Sequence, residues 1–542
     1  MHEPISLSAD GEVRRLLDRA AQLAAVAHTE HVTEAQTRQK LNTHGIDDAE
    51  IARQLSTLKW NSAPNVMAPI TTYSYLHGLQ HLDAIGAKSP PVSHSANAIL
   101  AIFRSAEICL HTLGVLSARM LDALQEGRMS DALANARWRN GFQQLLYKLS
   151  LLVVEMNPGG TPGSTLDIRN SRIYQTHDVQ ARRLREWLTT SWPENDSDVF
   201  GKDIDDPKRN VFFHEFVNTS DERVWTSMLT RVELPGVFKE DDEDDASFYA
   251  RIVCSDDIDD MTTAMETVTE TELLPFRVIH QVTEVVASVV NAQACDAATA
   301  LLRAQAEDLD SVVRGLILGN RLLSVADDSI KLMMRTLTPH GYSAVRPNLG
   351  MVRGTSSRVL RKTLFNSTYP LLVRAFKLRI TGWSVETADD DEAVHARAVE
   401  LLRRSSERSA ESERPLAAIL QQLVILHQHV RTWRDNHIQL PKTHLGVSAN
   451  GDQPTVSLSG SDSAVDIAHE MRRAHLTDPI IPLYRAMLGA APPSLHEKLT
   501  PGSFDEHIAH STARAVFDVY EDVQERFYRR CPVKHPGAPP SE

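Results

Sequence analysis

The chain has 542 residues, 42% hydrophobic and 24% charged, the balance of an ordinary globular protein with ample material for a core. Its 57 Lys and Arg stand against 71 Asp and Glu, a net charge of −14. That excess argues against a nucleic-acid partner, which needs a basic face, and disfavours an anionic membrane surface. The start, Met1-His2-Glu3-Pro4, has no basic end leading into an apolar run, and no run of about 18 apolar residues stands out, so neither a secretion signal nor a spanning helix is expected. Cys109, Cys254, Cys295 and Cys531 are scattered without a CxxC pair, which fits a reducing cytoplasm better than a disulfide or zinc framework.

Leu and Ala recur at three- and four-residue spacing over 12–28, and the same periodicity predicts helices over 96–126, 136–155, 267–304, 308–337, 393–435 and 512–529. Val, Ile and Thr nowhere form alternating runs, so the fold class is mostly α. The Asn157–Gly163 stretch, with two prolines and three glycines, predicts a loop. Residues 194–210 are polar and breaker-rich, and Glu240–Asp245 is an acidic run that suits a solvated loop, with a cation site as the alternative. A segment rich in small polar residues covers 444–464, and a proline-rich tail, expected to be disordered, covers 531–542.

Residues 99–107 (ILAIFRSAE) and 276–284 (FRVIHQVTE) each lie in a long apolar helix, end in Glu and precede a second long helix. Two related helical-bundle modules are therefore expected. The organisation becomes an N-terminal extension over 1–60, a first module over 61–195, an acidic linker or insertion over 196–264, a second module over 265–530 and the tail.

Three blocks of the second module carry chemistry. Phe276, His280 and Glu284 are spaced i, i+4, i+8 and share one helix face. The same spacing suits a core helix with one hydrogen-bonded histidine. Thr338-Pro339 has the form of an N-cap with proline at the first helical position, placing Tyr342 and Arg346 one turn apart. An arginine so held can fork onto a carboxylate, or lie on a solvated face. The small-residue stretch that follows, with Gly354 and Ser357, lacks the spacing and lysine of a phosphate loop. In the third block His437 follows Trp433 by one turn in a long apolar helix. Pro441 has no amide to return to the His437 carbonyl and should kink or end the helix there. A histidine at such a break suits a metal or haem ligand, or an ordinary helical position.

Together the blocks resemble the tryptophan 2,3-dioxygenase superfamily, histidine-ligated haem-b enzymes of mostly-α fold. Phe276, His280, Gln281 and Glu284 match the family's F-x-x-x-H-Q-x-x-E. Thr338, Pro339, Tyr342, Arg346, Leu349, Gly350, Gly354, Ser357 and Arg361 follow its next segment, with Val345 where an aromatic is usual. Trp433, Arg434, His437 and Gly446 match W-R-x-x-H with its trailing glycine. The resemblance implies haem b with iron on His437, Trp433, Gly354, Ser357 and Arg361 as cofactor-binding, His280 as catalytic, and Phe276, Glu284, Tyr342 and Arg346 as substrate-binding. It also implies dioxygen and an aromatic amino acid as substrates.

The N-terminal module looks like a degraded copy. Ile70-Thr71-Thr72-Tyr73-Ser74-Tyr75-Leu76 is similar to the family's entry segment, Phe103 stands where the distal histidine would, and no W-R-x-x-H follows. The first module is thus expected to bind no haem, and the chain to form an internal pseudo-dimer or a homo-oligomer. Three features depart from the family: Val447–Ser461 replaces its Gly-Thr-Gly-Gly-Ser-Ser-Gly loop, Pro441 interrupts the proximal helix, and the chain is about twice the length of a simple member. The implied function is insertion of dioxygen across C2–C3 of an indole on L-tryptophan or a substituted tryptophan. The alternatives are a haem monooxygenase, peroxygenase or ring-rearranging enzyme of secondary metabolism, and a non-catalytic helical scaffold.

Overall fold

The structure, a computed structural model, describes residues 7–29, 92–156, 162–190, 220–263, 272–303, 309–338, 358–405, 407, 411–445 and 478–490. Among these the fold is mostly α. Helix α1 (Leu7–Thr29) precedes a first hairpin of α2 (His94–Gln125) and α3 (Met129–Met156). Ser93 starts α2 by accepting the amide of Ala96. Gly127 ends the turn with φ +71°, while its amide and that of Arg128 reach back to the carbonyls of Leu124 and Ala123. Helix α4 (Arg172–Thr190) covers one side of α2, and α5 (Ser220–Met228) covers α3. The two strands, β1 (Thr165–Leu166) and β2 (Val232–Glu233), are two residues each and pair antiparallel.

A short corner follows, formed by α6 (Asp245–Val253) and α7 (Ser255–Thr263), with Cys254 at φ +61° between them. Arg104 and Glu107, one turn apart on α2, secure it. Arg104 donates to the carbonyls of Ile252 and Val253, both at 3.1 Å, satisfying the end of α6. Glu107 accepts the Ser255 hydroxyl at 2.7 Å. Burial pushes the Glu107 carboxyl up to about 7, against the pull of hydrogen bonds from Ser171, Ser255 and Tyr249. Residues 220–263, assigned in sequence to a linker or insertion, thus fold onto α2 and α3 and bury Trp225, Phe248 and Tyr249. The acidic run at 240–245 lies at the surface for the most part. Asp244 caps α6 through the amide of Ser247, and Glu243 pairs with Arg251 at 2.7 Å.

The second hairpin is α8 (Leu273–Leu302) and α9 (Leu309–Thr336). Next come an eleven-residue π-helix (Arg358–Thr368), α10 (Tyr369–Ile380), α11 (Val385–Asp389), α12 (Asp391–Ser405), α13 (Arg414–Leu445) and α14 (Ile481–Ala490). Helix α8 is the hub: it packs on α2, α9, α1, the π-helix and α10, while α9 bridges to α3 and α13. At the α3–α9 contact, a Cβ on Gly141 would meet Leu332 Cδ1 at 2.0 Å, so a larger residue there needs the Leu332 side chain to move. By length and composition α2 and α8 are apolar enough to cross a membrane, but 89% and 61% of their most apolar windows are buried inside the molecule.

The periodicity over 393–435 resolves into two helices, separated by a turn at Glu411–Glu413. Helix α13 does not end at Pro441 but runs to Leu445. The proline forfeits one amide near the helix end, a loss a single turn tolerates. The expected helix over 512–529, the stretch 194–210, Ile70–Leu76 and the tail lie outside the described residues, so the expected pseudo-dimer contact does too.

Candidate functional site

Helix α8 can begin where it does because Pro275 falls in its first turn, where its missing amide has no partner to lose. One turn on, Phe276 is buried, and the His280 ring tilts against it with centroids 4.6 Å apart. His280 Nδ1 lies 2.7 Å from the Phe276 carbonyl oxygen. A carbonyl only accepts, so Nδ1 carries the proton and Nε2 is the accepting nitrogen. Burial lowers the imidazole pKa to about 4, the bond to the Phe276 carbonyl acting in the opposite direction, so the ring is neutral at pH 7. Glu284 is buried and accepts the amide of Val359 at 3.0 Å. At the head of the same stripe Glu272 accepts the Thr338 amide at 3.1 Å and its hydroxyl at 2.9 Å.

The third block lies on α13. The Trp433 and His437 rings stack at 4.9 Å and 15°. Phe365, on the π-helix, meets Trp433 edge-on at 5.6 Å. Arg434 donates to Asn366 Oδ1 at 3.2 Å. The π-helix therefore touches both blocks: Val359 engages α8 through Glu284, and Phe365 and Asn366 engage α13. Such widened helices recur at functional sites. Tyr342, Arg346, Gly354 and Ser357 lie outside the described residues, and Arg361 is placed on the π-helix by its backbone alone.

Two polar clusters escaped the sequence reading. The Tyr369 hydroxyl lies 2.9 Å from both Asp478 Oδ1 and His427 Nδ1, and His427 sits against the Tyr484 ring at 5.8 Å. Burial opposes ionisation of Asp478, but hydrogen bonds from His427, the Ile480 amide and Tyr369 hold its carboxyl below the ordinary carboxylate range. His429 and Asp327 form the second cluster. The only trace in sequence is the His427-Gln428-His429 alternation inside an apolar helix, because the partners are remote along the chain. Among the described residues no group of three or more His, Cys, Asp or Glu is placed to hold a metal ion. A haem iron needs only one such ligand from the protein.

Comparison with family models, curated proteins and solved structures gives no match to this chain.

Proposed function

We propose that the chain is a haem-dependent oxygenase acting on the indole ring of L-tryptophan or a substituted tryptophan. The observation that carries this reading is the state of His280, a neutral imidazole whose proton is committed to Nδ1 beside a buried phenyl ring. Such a group accepts a ring N–H and is a poor proton donor, which matches an indole better than a phenol.

The residues around His437 suit a haem. Its ring orientation is set by Trp433, Phe365 supplies an apolar wall, and Arg434 is held at Asn366. His437 would ligate the iron and Trp433 would fix its imidazole plane; Gly354, Ser357 and Arg361 belong to the cofactor set by resemblance alone. The haem, when bound, supplies the dioxygen chemistry that adds two oxygen atoms across C2–C3. Phe276 packs the substrate ring, His280 Nε2 receives its N–H, and Arg346 with Tyr342 takes the carboxylate. Glu284 acts through the backbone of Val359.

The replaced segment Val447–Ser461 favours one second reading, a haem monooxygenase, peroxygenase or ring-rearranging enzyme on a related aromatic amino acid. An ultraviolet–visible spectrum of the full chain beside His437→Ala, both expressed with haem precursor, tests the proposal. A Soret band present in the first and lost or shifted in the second is expected. Its absence from the reconstituted wild type overturns both readings. Product mass then separates two added oxygen atoms from one.

A further inference from the structure

Helix α3 packs on α2, α5 and α9 and leaves one side to solvent. That side is apolar. Tyr147, Leu151 and Val154 are 39%, 38% and 59% exposed. Their spacing of four and then three residues is the 3.5-residue period with which two helices pack side by side. On one border stands α5, tied to this part of α3 where the Ser150 hydroxyl meets Met228 Sδ at 3.4 Å, and its Val224 is also exposed.

The other border, toward α9, is charged, and the order of its charges identifies the occupant. At one end Lys148 of α3 pairs with Asp328 of α9. At the other end Glu155 of α3 pairs with Arg321 of α9 at 3.4 Å. The basic partner thus belongs to α3 at the first end and to α9 at the second. Leu151 lies midway between Lys148 and Glu155 in sequence. A two-fold rotation about Leu151 exchanges the two ends. Lys148 of one copy then faces Glu155 of the other, and Asp328 faces Arg321, each contact occurring twice. The same rotation sets the large Tyr147 against the smaller Val154. Parallel stacking would place like charges over like. We infer that this face binds a second copy of the chain, α3 against α3 and antiparallel, about a two-fold axis at Leu151. The inference is independent of the proposed haem chemistry.

Three side chains over about 10 Å of helix bury far less than the roughly 800 Å² per partner of a standard interface. The dimer is therefore weak, with a dissociation constant of about 10–100 µM expected. Sedimentation velocity of the full chain from about 1 to 300 µM tests it, with a thermal melt to confirm that each variant folds. Wild type should shift from monomer to dimer across this range. Leu151→Arg puts two like charges on the axis and should weaken association by at least about tenfold. Lys148→Glu and Glu155→Lys, each acting at two contacts, should weaken it several-fold when alone. An equimolar mixture of those two variants should recover association, because each supplies the charge the other lacks. Each chain's own pairing to α9 stays altered in the mixture, so recovery reports the contact between copies. A wild type that remains monomeric to about 300 µM overturns the inference and assigns the stripe to another occupant, from this chain or from an unlike protein. A dimer indifferent to Leu151→Arg and to both charge variants overturns it by placing the contact on another face. Either result leaves the proposed function standing.

Discussion

His429 and Asp327 meet at 2.6 Å across the contact between α13 and α9, which ties the helix bearing His437 to the second hairpin. Burial pushes the Asp327 carboxyl up, while the His429 hydrogen bond pulls it down. Replacing Asp327 by Ala leaves the imidazole without this acceptor in a largely buried contact. A loss of about 2 kcal/mol is expected by denaturant unfolding. A double-mutant cycle with His429→Ala should recover much of it as coupling, and additive losses would show that the pair contributes little.

Glu107 gives a pH dependence with a definite sign. Its folded pKa, about 7, lies above the unfolded value of 4.5. The protonated carboxyl therefore contributes stability that is fully present below about 4.5 and is lost as pH rises toward 7. Glu107→Gln, which stays neutral, should gain on wild type between pH 5 and pH 8 by up to about 3 kcal/mol. Parallel stability–pH curves for the two proteins would contradict this.

His280 behaves in the opposite sense. Its folded pKa of about 4 lies below the ordinary 6.5, so its contribution is full above 6.5 and disappears as pH falls toward 4. Nitrogen-detected NMR of the histidine rings should show a neutral Nδ1–H tautomer at pH 7 that persists to pH 5. A half-protonated ring near pH 6.5 would remove the basis for an accepting Nε2.

Gly141 faces the end of the Leu332 side chain. Alanine there drives a methyl into Leu332 Cδ1, and the leucine side chain has to give way. Overpacking of this kind costs about 1–3 kcal/mol. Gly141→Ala combined with Leu332→Ala should restore part of the loss in thermal melting, and no restoration would place the strain elsewhere.

The fold was legible where burial follows helical periodicity. Helices α2, α8 and α9 fall within a few residues of the expected spans because each buries a broad apolar face. The 393–435 pattern failed because apolar spacing persists across a turn that the Glu411–Glu413 region imposes. At Pro441 the kink-or-end expectation fails only for the ending, since α13 runs on to Leu445 and one lost amide does not by itself stop a helix. At the site, the Phe276–His280 pairing was readable because four-residue spacing is local. The anchoring of Thr338 by Glu272 was not, since Glu272 looks like an ordinary acidic residue ahead of a helix. Tyr369, His427 and Asp478 were equally hidden, because their association depends on tertiary folding that no spacing records.

The π-helix has one further consequence. It is gripped at both ends by α8, where Glu284 holds the Val359 amide and Asn291 Oδ1 receives the Thr368 hydroxyl at 2.6 Å. Between these grips it presents Phe365 and Asn366 to Trp433 and Arg434. Removing one residue between Val359 and Phe365 would rotate the aromatic contact by roughly 80° relative to the Glu284 grip, the step of a helix closed by i→i+5 bonds. The two halves of the candidate site are therefore keyed to each other by a count of residues, like teeth on a shared rack. A deletion as small as a single codon would uncouple them while leaving each half intact.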